Sequence, residues 1–317
     1  MPSVIAECCQ NHNGNKQILQ EMIWEAAEAG ADYAKIQVIY ADDLVFRERF
    51  ETGLTEQGVV KAITRPYRPE YDRLKKLELQ WSDYRWYIDE CRKAGIKPLA
   101  TVFTRGGVAS VAGLGWVTVK VASYDCASYP LLQDLKGHFR HLFVSTGATY
   151  DEEIERAAQV LAGASFTLLH CVTIYPTPLE QLHLGRMKYL RQFTQSVGFS
   201  DHTLVQRDGI KASAAALHFG ADVVERHFTI LPPDRTKDGP VSINPGQLKT
   251  LCNLAHGNAE DRAAYVAEQI GDYQEMVGLA RRQLSHAELL NRDYYRGRFG
   301  THRADGSVVN NWDDRPL

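Results

Sequence analysis

Residues 198–229 have the sequence GFSDHTLVQRDGIKASAAALHFGADVVERHFT. Short apolar runs at 196–199 and 222–225 predict two strands, and the alanine-rich segment between them, which ends in glycine, predicts a helix. A strand, a helix and a strand in this order form a parallel crossover, so the carboxyl ends of the two strands lie side by side. His202 and His227 each follow one of these strands. The pattern therefore brings two imidazoles to one edge of a sheet.

The two histidines have two interpretations. A pair of imidazoles with open water positions would hold a divalent transition metal that acts as a Lewis acid. The alternative is a pair of histidines whose nitrogens are satisfied by hydrogen bonds in polar loops. The spacing alone leaves both interpretations open.

The composition is that of an ordinary soluble globular protein. The 317 residues are 44% hydrophobic and 24% charged, with a net charge of -3, so no nucleic-acid partner is implied. The longest apolar runs are too short to span a membrane, and Glu7 interrupts the short apolar start, so we expect neither a membrane segment nor a signal peptide. The six cysteines contain no CxxC pair, which favours reduced thiols and a cytoplasmic location.

The strand-and-helix pattern recurs along most of the chain. The eight predicted strands lie at 3–9, 32–38, 97–102, 116–121, 141–144, 166–171, 196–199 and 222–225. Eight alternations over about 250 residues predict a TIM (β/α)8 barrel. The alternative is an open doubly wound sheet, but the first strand is not followed by the G-x-G-x-x-G turn typical of that fold.

The barrel pattern leaves two segments to be explained. Residues 1–257 form the predicted barrel domain, and within it the charged excursion at 40–79 is too long for a simple connection, so we expect it to be functional or to cover a partner. Residues 258–317 are predicted as a helix over 259–290 and an arginine- and tyrosine-rich tail over 291–317. The tail is either partly disordered or folded over a barrel mouth, its own or that of a partner.

Polar residues recur at or just beyond the carboxyl ends of the predicted strands, which form the catalytic face of a barrel. They are Glu7, Lys35, Gln37, Thr101, Lys120, Ser123, Ser145, Thr146, Thr173, Tyr175, Ser200, Asp201, His202, Glu225 and His227. Lys35 and Lys120 stand inside otherwise apolar strands. One such lysine would be explained by an ammonium group that reaches past the end of its strand. Two of them, among several hydroxyl groups, predict a site for phosphate and carboxylate groups.

An ordered set of short motifs resembles the sialic acid synthase family. The motifs are IAE at 5–7, NHNG at 11–14, GADYAKIQ at 30–37, KVAS at 120–123, STG at 145–147, LHC at 169–171, YPTP at 175–178, SDHT at 200–203 and ERHFT at 225–229. Each motif is short, but the set follows the order of the family over residues 3–255, and the ordered set is specific.

The resemblance implies a transferase with a TIM barrel that condenses phosphoenolpyruvate with a sugar aldehyde. The aldehyde would be N-acetylmannosamine or a related aldose, and the products would be a nonulosonic acid and phosphate. The cofactor would be a divalent metal, Mn2+ or alternatively Mg2+ or Co2+, with His202 and His227 as its ligands. A homodimer is also implied. Family members usually continue into an antifreeze-like domain that contacts the sugar, and in this sequence residues 258–317 take its place.

The resemblance also assigns the substrate-binding residues. Those for phosphoenolpyruvate would be Lys35, Thr101, Lys120, Ser123, Ser145, Thr173 and Ser200. Those for the sugar would be Glu7, Gln37, Asp125, Tyr175 and Asp238. The catalytic residues would be Glu7, Lys35, Lys120, His202 and His227. On chemical grounds, Glu7 is a candidate to position or deprotonate the water that adds after the carbon–carbon bond forms. A carboxylate at this place could equally accept a hydrogen bond from a sugar hydroxyl or orient one of the lysines.

The sequence departs from the family at the substrate pocket. Tyr124 and Asp125 follow the KVAS motif, where the family usually has glycine and glutamate, and Thr173 stands where the family often has asparagine. Two other functions remain as alternatives. A metal-dependent isomerase or hydrolase acting on a sugar phosphate would need more carboxylate or histidine ligands, and a non-catalytic barrel that binds a sugar acid would not need both lysines and both histidines.

Overall fold

Eight parallel strands pair in sequence order and close into a barrel. The computed structural model describes residues 1–271 and 273–317. The strands are β1 (Ser3–Cys9), β2 (Tyr33–Val38), β3 (Lys97–Val102), β4 (Thr118–Val121), β5 (His141–Ser145), β6 (Ser165–His170), β7 (Ser196–Asp201) and β8 (Val223–His227). Because β1 pairs with both β2 and β8, the sheet is closed. The predicted TIM barrel is confirmed, and the open doubly wound sheet is excluded.

Helices surround the barrel. They are α1 (Lys16–Glu28), α2 (Tyr67–Leu77), α3 (Trp81–Ala94), α4 (Val108–Gly113), α5 (Tyr129–His138), α6 (Asp151–Val160), α7 (Arg186–Leu190), α8 (Val205–Asp208), α9 (Lys211–His218), α10 (Pro245–His256), α11 (Ala259–Gln269), α12 (Gln274–Val277) and α13 (His286–Tyr295). Helix α1 illustrates why these segments form helices and pack on the barrel. The side chain of Asn15 caps its first turn, and its apolar stripe, including Leu19 and Ile23, is buried. Within residues 1–271 and 273–317, no helix combines the length and apolar character that crossing a membrane requires.

The barrel interior has an apolar layer with a polar layer above it. The apolar layer consists of Ile5, Leu99, Phe143, Leu169 and Val223. Successive side chains of a strand point to opposite faces, so the residue two positions later points inward again. This alternation builds the next layer at the carboxyl rim, where barrel enzymes have their active sites. Its members include Glu7, Thr101, Ser145 and Glu225.

The excursion at 40–79 has structure of its own. It contains short 3-10 turns at Ala41–Asp43 and Glu48–Phe50, a hairpin of strands Leu54–Glu56 and Val59–Ala62, and helix α2. Phe50 and Ala62 pack with Tyr294 of the tail in a separate apolar cluster. The excursion therefore forms a platform for the C-terminal segment.

The single helix predicted over 259–290 is wrong. The chain forms the separate helices α11, α12 and α13 instead. Gly271 and Gly278 have φ values of 73° and 48°, in the left-handed region that a continuous α-helix does not contain. The predicted boundary after residue 257 remains a proposal, and α10, the helix that follows β8, ends at His256.

The tail lies over the carboxyl rim of its own barrel. After α13 it forms a hairpin of strands Gly300–His302 and Val308–Asn310. Asn311 donates from Nδ2 to the Phe103 carbonyl at the end of β3 and to Asp125 Oδ1, both at 2.8 Å. Arg105 donates to the carbonyls of Asp313 and Arg315 at 2.9 and 3.0 Å. Contacts between residues about two hundred positions apart thus hold the tail on the barrel.

A buried ion pair fixes the outer side of the seam between β7 and β8. Arg226 and Asp201 face each other in register, both are fully buried, and their side chains form a salt bridge. The Asp201 carboxylate also accepts from Ser213 Oγ at 2.6 Å and from the backbone and hydroxyl of Thr203 at 2.9 and 2.8 Å. Because His202 lies between Asp201 and Thr203, this network also fixes a predicted site residue.

Arg226→Met should lower the free energy of unfolding by about 3–5 kcal/mol, because it leaves the Asp201 carboxylate buried without its counter-ion. Urea denaturation of the purified variant measures this. The double variant Asp201→Asn/Arg226→Met removes both charges and should recover part of the loss. A loss below about 1 kcal/mol in the single variant, the size expected of an exposed pair, would contradict this role.

Candidate active site

A cavity of about 160 Å³ opens at the carboxyl rim of the barrel. All the predicted substrate and metal residues line it except Asp125, Thr173 and Asp238. Its lining includes Glu7, Lys35, Gln37, Thr101, Lys120, Ser123, Ser145, Tyr175, Ser200, His202 and His227. The structure therefore brings side chains from strands on all sides of the barrel to one site.

Two lysines form the basic side of the cavity. Lys35 Nζ donates to Thr101 Oγ1 at 3.2 Å and forms a salt bridge with Glu7. Lys120 Nζ donates to Ser145 Oγ at 2.6 Å. Both ammonium groups also face Glu225, at 3.5 Å from Lys35 and 4.0 Å from Lys120. The cavity thus holds two buried cations beside two buried carboxylates.

The charge states of Lys35 and Glu225 depend on one another. Burial lowers the pKa of Lys35 to about 8, although the Glu225 carboxylate opposes the shift. For Glu225, burial acts to raise the pKa, but the charges of Lys120 and Lys35 outweigh it and hold the pKa at about 2. Glu225 is therefore ionised at neutral pH, and it also accepts a hydrogen bond from Ser200 Oγ at 2.8 Å.

The two predicted metal ligands lie side by side. The ring centroids of His202 and His227 are 5.3 Å apart. Burial lowers the pKa of both to about 3, helped at His202 by His227 and at His227 by Lys35, so both rings are neutral at pH 7. A neutral imidazole has a lone pair for a metal.

The hydrogen bonds of the two rings differ. Nδ1 of His202 lies 3.2 Å from the Val172 carbonyl. Because a carbonyl only accepts hydrogen bonds, this nitrogen carries the proton and Nε2 keeps its lone pair. Nε2 lies 3.0 Å from the hydroxyl of Tyr175. Nδ1 of His227 is buried and has no hydrogen-bond partner among the described residues. A neutral imidazole with a buried, unpartnered nitrogen beside a second oriented imidazole fits a divalent metal, so the donor set suits the group that the resemblance implies.

Three predicted site residues lie outside the cavity. The Asp125 carboxylate accepts from Ser128 Oγ at 2.9 Å and from Asn311 Nδ2 at 2.8 Å, and burial raises its pKa to about 6. The carbonyl of Thr173 accepts from Asn291 Nδ2 at 2.7 Å. Asp125 and Thr173 therefore anchor the tail, while Asp238 lies beside His227.

The tail adds two residues that the sequence did not predict for the site, Tyr295 and Arg298, which line the cavity. Tyr295 stacks on Tyr124 with ring centroids 4.8 Å apart, so the aromatic ring at the position of the family's glycine has a partner from the tail. Arg298 forms a salt bridge with Glu70 of α2. No strand pattern marks these residues, and only the arginine and tyrosine content of the tail indicated a role.

The closed barrel and a rim cavity that gathers two lysines, several hydroxyls and two neutral histidines define a TIM-barrel enzyme with a site for an anionic substrate. The NeuB family model matches residues 22–262. The chain belongs to the NeuB family and is a phosphoenolpyruvate-dependent transferase of the sialic acid synthase type.

Individual relatives agree with this assignment. The N,N'-diacetyllegionaminic acid synthase of Campylobacter jejuni is 33% identical over 258 residues, 78% of this chain and 74% of that protein. The protein of the same name from Legionella pneumophila is 31% identical over 78% of this chain and 69% of its own length. The crystal structure of the N-acetylneuraminic acid synthetase of Leptospira borgpetersenii superposes with a TM-score of 0.69 over 93% of this chain and 91% of that one. At 24% identity, that match shows the fold alone.

Proposed function

We propose that this enzyme condenses phosphoenolpyruvate with an N-acetylmannosamine-like aldehyde or a related aldose, and that it requires a divalent metal, Mn2+ or alternatively Mg2+ or Co2+. The products would be a nonulosonic acid and phosphate. One observation carries the proposal: Lys35 and Lys120 line the same small cavity as His202 and His227. An enol phosphate on the lysines and an aldehyde beside the histidines would thus be close enough to react.

The lysine side suits phosphoenolpyruvate, which carries a phosphate and a carboxylate on adjacent atoms. Two buried ammonium groups can pair with both anions, and charge-assisted hydrogen bonds of this kind are short and strong. The hydroxyls of Thr101, Ser123, Ser145 and Ser200 supply further donors. Fixed donors in a small cavity replace the mobile solvent shell and stabilise charge as it develops.

The histidine side suits the aldehyde. A bound divalent metal would polarise the aldehyde oxygen and stabilise the alkoxide that forms on attack by the enol carbon. The ring of His202 is oriented for this task by the Val172 carbonyl. Glu7 faces the same cavity and is held by Lys35, and from there it would position or deprotonate the water that adds to the phosphate-bearing carbon.

The test is phosphate release from phosphoenolpyruvate with a panel of hexose-derived aldehydes, with mass detection of a product that carries three additional carbons. Release that needs both an aldehyde and Mn2+ supports the proposal. Metal-dependent conversion of a sugar phosphate without phosphoenolpyruvate would support the isomerase or hydrolase instead. Binding of a sugar acid without turnover would support the non-catalytic barrel.

We propose that the tail supplies a contact to the acceptor aldehyde, because Tyr295 and Arg298 line the cavity. Tyr295→Ala should raise the KM for the aldehyde about tenfold or more, since it removes a cavity wall that stacks on Tyr124, and should leave metal affinity unchanged. Deletion of 291–317 should raise the same KM further. Steady-state kinetics with both substrates varied measures this, and an unchanged aldehyde KM in both proteins would refute the role of the tail.

The titration of Lys35 should appear in the pH dependence of kcat/KM for phosphoenolpyruvate. Its ordinary pKa is 10.5 and burial lowers it to about 8, so the ammonium group is present below pH 8 and is lost as the pH rises through that value. The kcat/KM for phosphoenolpyruvate should therefore fall about tenfold per pH unit above pH 8. A profile that stays level to pH 10 would contradict the role of Lys35.

Location and assembly remain proposals. All six cysteines are unpaired and buried in the structure, which supports the proposed reducing cytoplasm. We also retain the homodimer as a proposal, to be measured by sedimentation. The tail's contacts with its own barrel mean that a dimer is not needed to bring Tyr295 and Arg298 to the cavity.

A further inference from the structure

Cys9 ends β1 in an unusual conformation. Its φ of 39° lies in the left-handed region that residues other than glycine rarely adopt, and the pairing of β1 with β2 shifts register between Glu7 and Cys9. Such backbone strain is concentrated at functional sites. The neighbouring Cys8 packs into the core between the sheet and the helices. The two adjacent cysteines therefore have different environments.

Cys9 lies next to two other potential metal ligands. One ligand atom of each of Cys9, His227 and Asp238 lies within 4.8 Å of the other two. Cys9 and His227 are buried at the ends of neighbouring strands, and half-buried Asp238 lies in the loop after β8. Sulfur, nitrogen and oxygen donors thus meet where the first and last strands close the barrel.

Hydrogen bonds between the two loops hold these donors in place. Asn11, two residues after Cys9, donates from Nδ2 to the Phe228 carbonyl and to Ser242 Oγ, both at 2.9 Å. Ser242 Oγ in turn donates to the Asp238 carbonyl at 2.7 Å. The loop that carries Asp238 is therefore tied to the loop that follows Cys9, which is the kind of outer support that metal ligands receive.

One of the three donors lacks a partner among the residues that the structure describes. Nδ1 of His227 is buried and unpartnered within the described part of the chain. Buried polar atoms without partners are rare and costly, so each needs an explanation. One oxygen of the half-buried Asp238 carboxylate lies within 4.8 Å of the ligand atoms of both Cys9 and His227. A cation among the three would give the His227 nitrogen its missing partner.

We propose that Cys9, as a thiolate, and Asp238 bind the divalent metal together with His227. His202 lies outside this group of three, with its ring centroid 5.3 Å from that of His227, and would turn toward them as a fourth ligand. The site would then be a Cys–His–His–Asp site at the barrel seam rather than a pair of imidazoles alone. The thiol proton passes to solvent as sulfur binds the metal, so no oxidant or reductant is needed. A thiolate in the set favours Co2+, Zn2+ or Fe2+ over Mg2+. The inference rests on the proposed metal requirement but not on the identity of the aldehyde.

The test is Co2+ binding to the full-length, metal-stripped protein, followed by ultraviolet and visible absorption. The wild type should show a thiolate-to-cobalt charge-transfer band. Cys9→Ser and Cys9→Gly should lose that band, and Cys9→Gly and Asp238→Asn should bind Co2+ about 100-fold more weakly or worse. Glycine adopts positive φ readily, so Cys9→Gly should fold with an unchanged or higher Tm. Cys8→Ala is the matched control and should keep the band.

The inference is overturned if the wild type binds no Co2+, if its complex lacks the charge-transfer band, or if Cys9→Gly keeps the wild-type spectrum and affinity. The titration contains neither phosphoenolpyruvate nor an aldehyde, so it is independent of the synthase reaction. A protein that binds Co2+ through Cys9 but releases no phosphate with any aldehyde would refute the proposed function and leave the metal site standing.

Discussion

Lys120→Met should lower kcat/KM for phosphoenolpyruvate about a thousandfold or more. The ammonium group is buried, it donates to Ser145 at 2.6 Å, and it faces the cavity together with Lys35. Loss of one fixed donor from such a site typically costs a hundredfold to a thousandfold, and this donor also carries a full charge toward an anionic substrate. Initial rates over a range of phosphoenolpyruvate concentrations measure the effect.

A second readout separates this role from a structural one. The charge of Lys120 is one of the causes that lower the pKa of Lys35, so its removal should move the alkaline limb of the pH profile to higher pH. Lys97→Met is the matched control, because Lys97 is exposed at the amino end of β3, beside the ring of Tyr33, and should be neutral. A Lys120→Met enzyme within tenfold of the wild type, with an unmoved alkaline limb, would refute the assignment.

His227→Ala should abolish turnover and metal binding together, with the fold intact. His227 belongs both to the pair with His202 and to the group with Cys9 and Asp238, so its loss affects every arrangement of the metal proposed above. We expect a fall in kcat of at least about a thousandfold and loss of bound metal by elemental analysis. His202→Ala should also abolish turnover through loss of metal.

The control for these variants is His138→Ala, since His138 is exposed at the end of α5. Circular dichroism and Tm should match the wild type in all three proteins. Normal turnover in either His202→Ala or His227→Ala would mean that the metal assignment is wrong. Lost turnover with full metal content would instead mean that the imidazole acts on the substrate and not on the metal.

The barrel and most of its site followed from local patterns. Apolar runs separated by helical segments are a property of short stretches, so eight strands could be counted without contacts. Parallel strands put their carboxyl ends on one rim, and inward-facing residues recur every second position. Lys35, Lys120, His202 and His227 were therefore predicted together, and the structure places all four around one cavity.

The structure adds two findings to these predictions, one from a contact between distant parts of the chain and one from local backbone conformation. Asp125 was predicted at the sugar, but its carboxylate is paired with Asn311, nearly two hundred residues later. The helix predicted over 259–290 has the right composition, yet glycines with positive φ divide it. Local pattern gives no information about the pairing of Asp125 with Asn311, because that pairing depends on how the tail crosses the rim.

By itself, the sequence determined the barrel, the rim on which the site lies and the two lysines and two histidines, because strand alternation and parallel topology are encoded locally. Only the tertiary structure decided that Tyr295 and Arg298 line the cavity, and that Cys9 and Asp238 lie within reach of His227. Those residues come from the tail, from a strained strand end and from a loop. Their positions result from the closure of the barrel and from hydrogen bonds between segments far apart in the chain.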